Sequence, residues 1–281
     1  MVQYYRIALL MSTLSRNAFN CHEILLLSII WPTLSVPIEH PALPAVPEPA
    51  GLPGLEGGEA FITGICPRDQ AAALSASQLL RQRILSQVEA EHYRTLRTDK
   101  RRLDWLAGRA AAKAALRLYF RKTLGHDLDP ATLEVAANAQ GGPVCSRPDA
   151  PAFSISHCAA GGLCVAGFSG RLIGADWETV TPRTRGLARL FTREGELPVD
   201  REASPLELTR LWAVKEAVLK LLGLGLACSP RDVEAVLALG AQPIRFHGAA
   251  RARWESLGSP RVSIAMTDDT DSVAAVAYTG D

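Results

Sequence analysis

The chain has no Gly-x-x-x-x-Gly-Lys-Ser/Thr loop, which removes the usual cradle for a nucleoside triphosphate. Its longest clear apolar run, Ile24 to Trp31, is eight residues interrupted only by Ser28, far short of the about twenty needed to cross a bilayer core. That run is also a poor secretion signal, because Glu23 abuts it and no small-residue cleavage site clearly follows. There is no net excess of charge, the formal balance being +1. Six cysteines (Cys21, Cys66, Cys145, Cys158, Cys164 and Cys228) form no paired framework, which fits a reducing cytoplasm. A zinc site on His157, Cys158 and Cys164 lacks a second paired ligand spacing and is set aside.

What is present is a chain of 281 residues, 48% hydrophobic, in which strand-like and helix-like patterns alternate, as expected of a folded α/β (α+β) protein. Seven prolines between Pro32 and Pro53 cannot sustain a helix or a central strand. Residues 1–58 are therefore expected to be a poorly ordered leader or a start-site artefact.

Two stretches carry the chemistry. Ile173-Gly174-Ala175-Asp176-Trp177-Glu178 reads as a strand, and period-two alternation puts Asp176 and Glu178 on one face. Ser204-Pro205-Leu206-Glu207 then supplies an N-cap serine, a proline at the first helical position and a glutamate three residues after the cap, so a helix starts there. It ends at Gly223 and Gly225. Within it, Leu208, Leu211, Trp212, Leu219 and Leu222 mark a buried stripe, and Glu216 and Lys220 share a polar edge. Taken alone, Glu216 and Lys220 are an ordinary solvated i,i+4 pair. Three carboxylates and an ammonium converging from two elements instead suit a hard divalent cation and a phosphorylated ligand.

Together, Gly174-Ala175-Asp176-Trp177-Glu178 and Trp212-Ala213-Val214-Lys215-Glu216-Ala217-Val218-Leu219-Lys220 resemble the signature of the 4'-phosphopantetheinyl transferase superfamily. The departures are mild, Ala175 standing where Ile or Val is usual and Ala213 where a small hydroxyl or thiol residue is common. An internal repeat points the same way: Trp105 to Lys113 aligns with Trp212 to Lys220 at an offset of 107, and Phe153 to His157 with Val262 to Met266 at 109. That duplication resembles the larger, surfactin-synthetase-activating type, a single-chain pseudodimer. The implied fold is two pseudo-twofold-related α/β lobes, 59–171 and 172–281, with the ligand cleft between them and a monomeric state.

The resemblance implies transfer of 4'-phosphopantetheine from coenzyme A to a serine of an acyl or peptidyl carrier protein, with Mg2+ as cofactor. Asp176, Glu178 and Glu216 would be metal ligands, and Glu216 and Lys220 the catalytic pair. Arg109, Lys113, Ser156, His157 and Lys215 would be coenzyme A contacts, Ser156 and His157 near its 3'-phosphate. Family members often carry a cation before the proline of Gly141-Gly142-Pro143, where this chain has Gly142; Arg147 is the nearby candidate to compensate.

A catalytic Ser-His couple at Ser156-His157 fails on geometry, since adjacent strand residues point to opposite faces. Between Arg81 and Lys122, twelve cations face four acids, a local basic excess suited to phosphates or an acidic carrier domain. No aromatic platform accompanies it, so nucleic acid is not the expected partner. The competing reading is a noncatalytic coenzyme A or nucleotide-binding module of the same fold.

Overall fold

The computed structural model describes Leu55 and residues 60–280, apart from 126, 169, 184, 199 and 237–243. The expected leader, its proline run and the apolar segment ahead of it lie outside the described residues, with the exception of Leu55. Residues Pro47–Asp281 form one compact unit.

The chain runs β1 (Phe61–Pro67), α1 (Arg68–Ala76), α2 (Gln78–Gln82), α3 (Gln87–Thr95), α4 (Asp99–Leu124), β2 (Val135–Ala137), β3 (Pro143–Cys145), β4 (Phe153–Cys158) and β5 (Gly161–Gly167). It continues with β6 (Ile173–Thr179), α5 (Arg185–Phe191), α6 (Pro205–Leu221), β7 (Val233–Glu234), β8 (Arg245–Phe246), α7 (Gly248–Ser256), β9 (Val262–Asp268) and β10 (Ser272–Thr279). Two three-stranded antiparallel sheets result, ordered β1-β5-β4 and β6-β10-β9. Each half therefore builds the same thing: a strand, helices, a small hairpin, then two strands whose last pairs with the first. This is the mixed α/β architecture expected.

Local sequence explains the principal helices. Thr98 caps α4 by accepting from Arg101 N, and Gly125, at φ 76, closes it in the left-handed conformation that glycine adopts without penalty. The helix begins at Asp99, four residues before the Leu103 expected from apolar spacing. Ser204 and Glu207 form the capping box that opens α6, and Ser86 and Glu89 form the one that opens α3. The polar edge expected on α6 is not an open one, because Thr209, Lys215 and Glu216 are buried along with its apolar stripe.

Each long helix crosses its sheet at a glycine. A Cβ on Gly64 would lie 2.5 Å from Ala111 O, and one on Gly174 would lie 2.0 Å from Ala217 O and 2.4 Å from Leu221 N. Both helices press backbone against backbone there. Aligning the two crossings pairs Ala111 with Ala217 and Ala115 with Leu221, a helix offset of 106 that corrects the sequence-derived 107 by one residue.

The two sheets meet along β4 and β6, the edge strands that face each other. Ser154 Oγ accepts from Ala175 N at 3.0 Å and Ser156 Oγ accepts from Trp177 N at 3.0 Å, so side-chain hydroxyls satisfy the outward N–H groups of β6. Around this seam Phe61, Leu163, Val165, Ile173, Ala175, Trp177, Ala274 and Val276 form one buried cluster. Leu55, expected to belong to the leader, is 1% exposed within it.

Replacing Gly174 with valine should force α6 off β6. Overpacking of this kind costs about 1–3 kcal/mol, and a thermal melt of the variant matching the parent would contradict the close crossing.

Candidate active site

Asp176 and Glu178 leave β6 on the same face, and Glu216 and Lys220 approach them from α6. Asp176 is 4% exposed and Glu216 5% exposed. Asp176 Oδ1 accepts from Lys220 Nζ at 2.7 Å and from Ser156 Oγ at 2.9 Å. Lys220 Nζ also donates to Ala175 O at 3.0 Å, so the ammonium bridges strand backbone and carboxylate. Glu178 Oε1 accepts from Trp212 Nε1 at 3.0 Å, and its other oxygen lies 3.8 Å from the Arg183 guanidinium, which covers the Trp212 ring.

Two carboxylate oxygens are buried with no hydrogen-bond partner, Asp176 Oδ2 and Glu216 Oε1. Burial of such atoms is costly unless something compensates. The charges feel one another. Glu216 is pushed up to about 7, first by burial and then by Asp176, with Lys220 opposing and Glu178 adding to the rise. Glu178 is also raised, by burial and then by Asp176, with Trp212, Arg183 and Lys220 pulling it back. Among the described residues, no three His, Cys, Asp or Glu side chains are gathered closely enough to hold a metal ion as they stand. The donor set nonetheless fits a hard divalent cation: it is all oxygen, mutually repelling, and two of its atoms are buried without partners.

The expected coenzyme A contacts divide. His157 is exposed at the end of β4, near the N-terminal turn of α4. Its imidazole sits below the usual value, chiefly by partial desolvation; Asp104 opposes this and Lys220, Lys100 and Arg101 add to it. Arg109 is half-buried with its guanidinium 5.0 Å from the Trp105 ring centroid, and its Nε has no partner. Ser156 is buried and already committed on both sides, to Asp176 and to Trp177 N. Its geometry is that of a residue orienting Asp176.

Lys113 and Lys215 are corrected by the structure. Lys113 is 1% exposed, and its Nζ donates to Glu89 Oε2 at 2.5 Å and to Pro130 O at 2.9 Å. Lys215 is 0% exposed, and its Nζ donates to Glu196, to Pro230 O at 3.2 Å and to Val233 O at 2.6 Å. In both halves the second carboxylate oxygen accepts a backbone N–H, Val135 N for Glu89 and Ala235 N for Glu196. The same buried clasp ties the outer side of each long helix to the segment beyond it, and neither ammonium is open to a ligand. The sequence alignment paired Lys113 with Lys220; by its bonds the counterpart of Lys113 is Lys215.

Arg147 is not free to compensate for Gly142. It forms a two-pronged pair with Asp149, at 2.9 and 2.6 Å, and stacks over Phe120. Of the basic stretch, Arg94, Arg97, Lys100 and Arg101 are exposed around the start of α4, while Arg117 pairs with Asp127 and Arg68 and Lys100 share Asp104.

Aligned at the two glycine crossings, the first half carries Cys66, Ala110 and Ala114 where the second carries Asp176, Glu216 and Lys220. One set of acids exists per chain. Sequence reasoning missed Trp212 as the donor to Glu178, Arg183 behind it, and Glu89 and Glu196; each acts through a partner distant in sequence.

The family model for the 4'-phosphopantetheinyl transferase superfamily matches residues 172–275. A holo-[acyl-carrier-protein] synthase of Halorhodospira halophila is 33% identical over 105 residues, covering 32% of this chain and 83% of that protein. The chain belongs to the 4'-phosphopantetheinyl transferase superfamily. Another holo-[acyl-carrier-protein] synthase, from Nitratidesulfovibrio vulgaris, is 44% identical over 68 residues, 23% of this chain, and there the match spans only about half, 55%, of the relative's length. Among solved structures, a holo-(acyl-carrier-protein) synthase from Bacillus anthracis in complex with coenzyme A overlaps 40% of this chain and 97% of its own, at 22% identity and a TM-score of 0.33. That overlap is too low to carry an argument.

Two measurements check this site. Glu196→Ala leaves the Lys215 ammonium buried without its partner, a loss of about 3–5 kcal/mol; a variant that melts with the parent would refute the clasp. A carboxyl raised to about 7 when folded, against about 4.3 when unfolded, holds its proton more tightly in the native state. Metal-free protein should therefore lose up to about 3 kcal/mol between pH 4.3 and 7 on account of Glu216. Chelator-treated Glu216→Gln should lack that component, and identical pH slopes in the two proteins would contradict it.

Proposed function

We propose that the chain transfers the 4'-phosphopantetheine of coenzyme A to a serine hydroxyl of an acyl or peptidyl carrier protein, releasing adenosine 3',5'-bisphosphate. The observation that carries this reading is the buried Asp176–Glu178–Glu216–Lys220 set, with two partnerless carboxylate oxygens and one carboxyl poised near neutral pH. The holo-[acyl-carrier-protein] synthases that resemble the chain support the same chemistry.

Asp176, Glu178 and Glu216 would hold the divalent cation, which we take to be Mg2+. When bound, it would draw charge from the bridging phosphates of coenzyme A. The residues do the rest. Ser156 and Lys220 fix Asp176, and Trp212 and Arg183 fix Glu178, so the acids keep their places against mutual repulsion. Glu216 accepts the serine proton as the hydroxyl oxygen bonds to the phosphorus bearing pantetheine. The bond from that phosphorus to the nucleotide-side phosphate breaks, and Lys220 neutralises the charge on the departing group. No enzyme nucleophile is needed.

His157 and Arg109 remain the ligand-side residues for the nucleotide end, His157 lying among Lys220, Lys100 and Arg101. The exposed Arg94, Arg97, Lys100 and Arg101 would meet an acidic carrier domain. Because both halves are in one chain, we propose a monomer. The five described cysteines are all free thiols, in keeping with a cytoplasmic setting, and no described helix is long and apolar enough to cross a membrane.

Glu216→Gln should abolish transfer to a purified carrier protein, read as the mass of the added arm, with the fold intact by circular dichroism. Lys220→Ala should lower kcat more than it raises KM for coenzyme A. Full turnover by the glutamine variant would end this reading.

A further inference from the structure

A cleft of about 640 Å3 opens where β4 and the β2–β3 turn face the end of α6 and α7. Its walls include Phe153, Ile155 and Leu224, and its floor of small groups includes Gly141 and Gly142. No acidic residue lines it, and two cations do, Lys220 and Arg253. An apolar cleft with two positive groups and no counter-charge of its own suits an anion carried on an apolar or aromatic body.

Arg253 stands apart from the arginines near it. Arg251 pairs with Glu255, Arg245 with Glu234, Arg210 with Asp268 and Arg147 with Asp149. Among the described residues Arg253 has no carboxylate partner. Its Nε donates to Leu222 O at 3.0 Å and one terminal nitrogen reaches Ser256 Oγ only at 3.5 Å. The Nε bond anchors the guanidinium plane to the C-terminal turn of α6, two residues beyond Lys220. A pre-anchored planar fork is well matched to phosphate oxygens, and less side-chain freedom is lost on binding.

We propose that Arg253 is a phosphate-binding residue of this cleft, taking a phosphate of coenzyme A from the second half of the chain opposite the uncharged Gly141–Gly142 turn. The inference rests on the coenzyme A reading given above. Arg253 thereby supplies positive charge to a cleft whose facing turn has none, and it does so from α7, an element that contributes nothing else to the site.

The test is calorimetric titration of the full chain with coenzyme A at several salt concentrations, for the parent, Arg253→Lys and Arg253→Gln. Charge-assisted bonds to phosphate predict about tenfold weaker binding for Arg253→Gln and a smaller loss for Arg253→Lys. The salt dependence of affinity should also become shallower in the glutamine variant, because one screened attraction is gone. Unchanged affinity overturns the proposal. So does a weakened affinity whose salt dependence is unchanged, which would assign Arg253 to capping α6 alone. Transfer activity of the parent, measured alongside, tests the parent reading separately, since binding is read here without turnover.

Discussion

The whole arrangement depends on how one strand edge finds its hydrogen bonds. β6 is the outer strand of its sheet, and its free N–H groups would be costly if buried unpaired. Ser154 and Ser156, two apart on β4 and hence on one face, fill those positions with hydroxyl oxygens. A ladder between backbones would have merged the sheets and flattened the seam. Hydroxyls instead join two independent sheets, and the second of them reaches Asp176 as well. The bond that fastens the halves together also orients an acid of the site.

That coupling explains how repelling carboxylates persist in a buried place. Each has a tether from another element: Asp176 from Ser156 and Lys220, Glu178 from Trp212 and Arg183. Glu216 has no such tether on Oε1 and carries the largest cost, visible as a carboxyl moved up to about 7. Stability is spent here and recovered elsewhere, in the backbone-close crossings at Gly64 and Gly174 and in the two buried Lys–Glu clasps.

Much of this was legible in the residues. Both capping boxes and the helix ending at Gly223 follow rules that act within a few positions, so Ser86, Ser204 and Glu207 announce themselves. The strand face holding Asp176 and Glu178 and the helix bearing Glu216 and Lys220 follow from period alone. Lys113 and Lys215 did not, because whether a lysine faces solvent or core is decided by an acid far along the chain, Glu89 for one and Glu196 for the other. The repeat offset slipped by one residue for a related reason: alanine-rich helices align in several registers, and only the glycine crossings fix which is real. Leu55 was lost to the prolines around it, whose composition says nothing of a single leucine seated in the seam.

The duplication is structurally faithful but chemically one-sided. Where the second half presents Asp176, Glu216 and Lys220, the first presents Cys66, Ala110 and Ala114, small and uncharged at neutral pH. A ligand filling the cleft would thus meet no twin to communicate with, so its saturation curve is hyperbolic and its stoichiometry unity. The silent half, released from handling charge, is free to drift in sequence so long as it keeps the serines that hold its neighbour's edge.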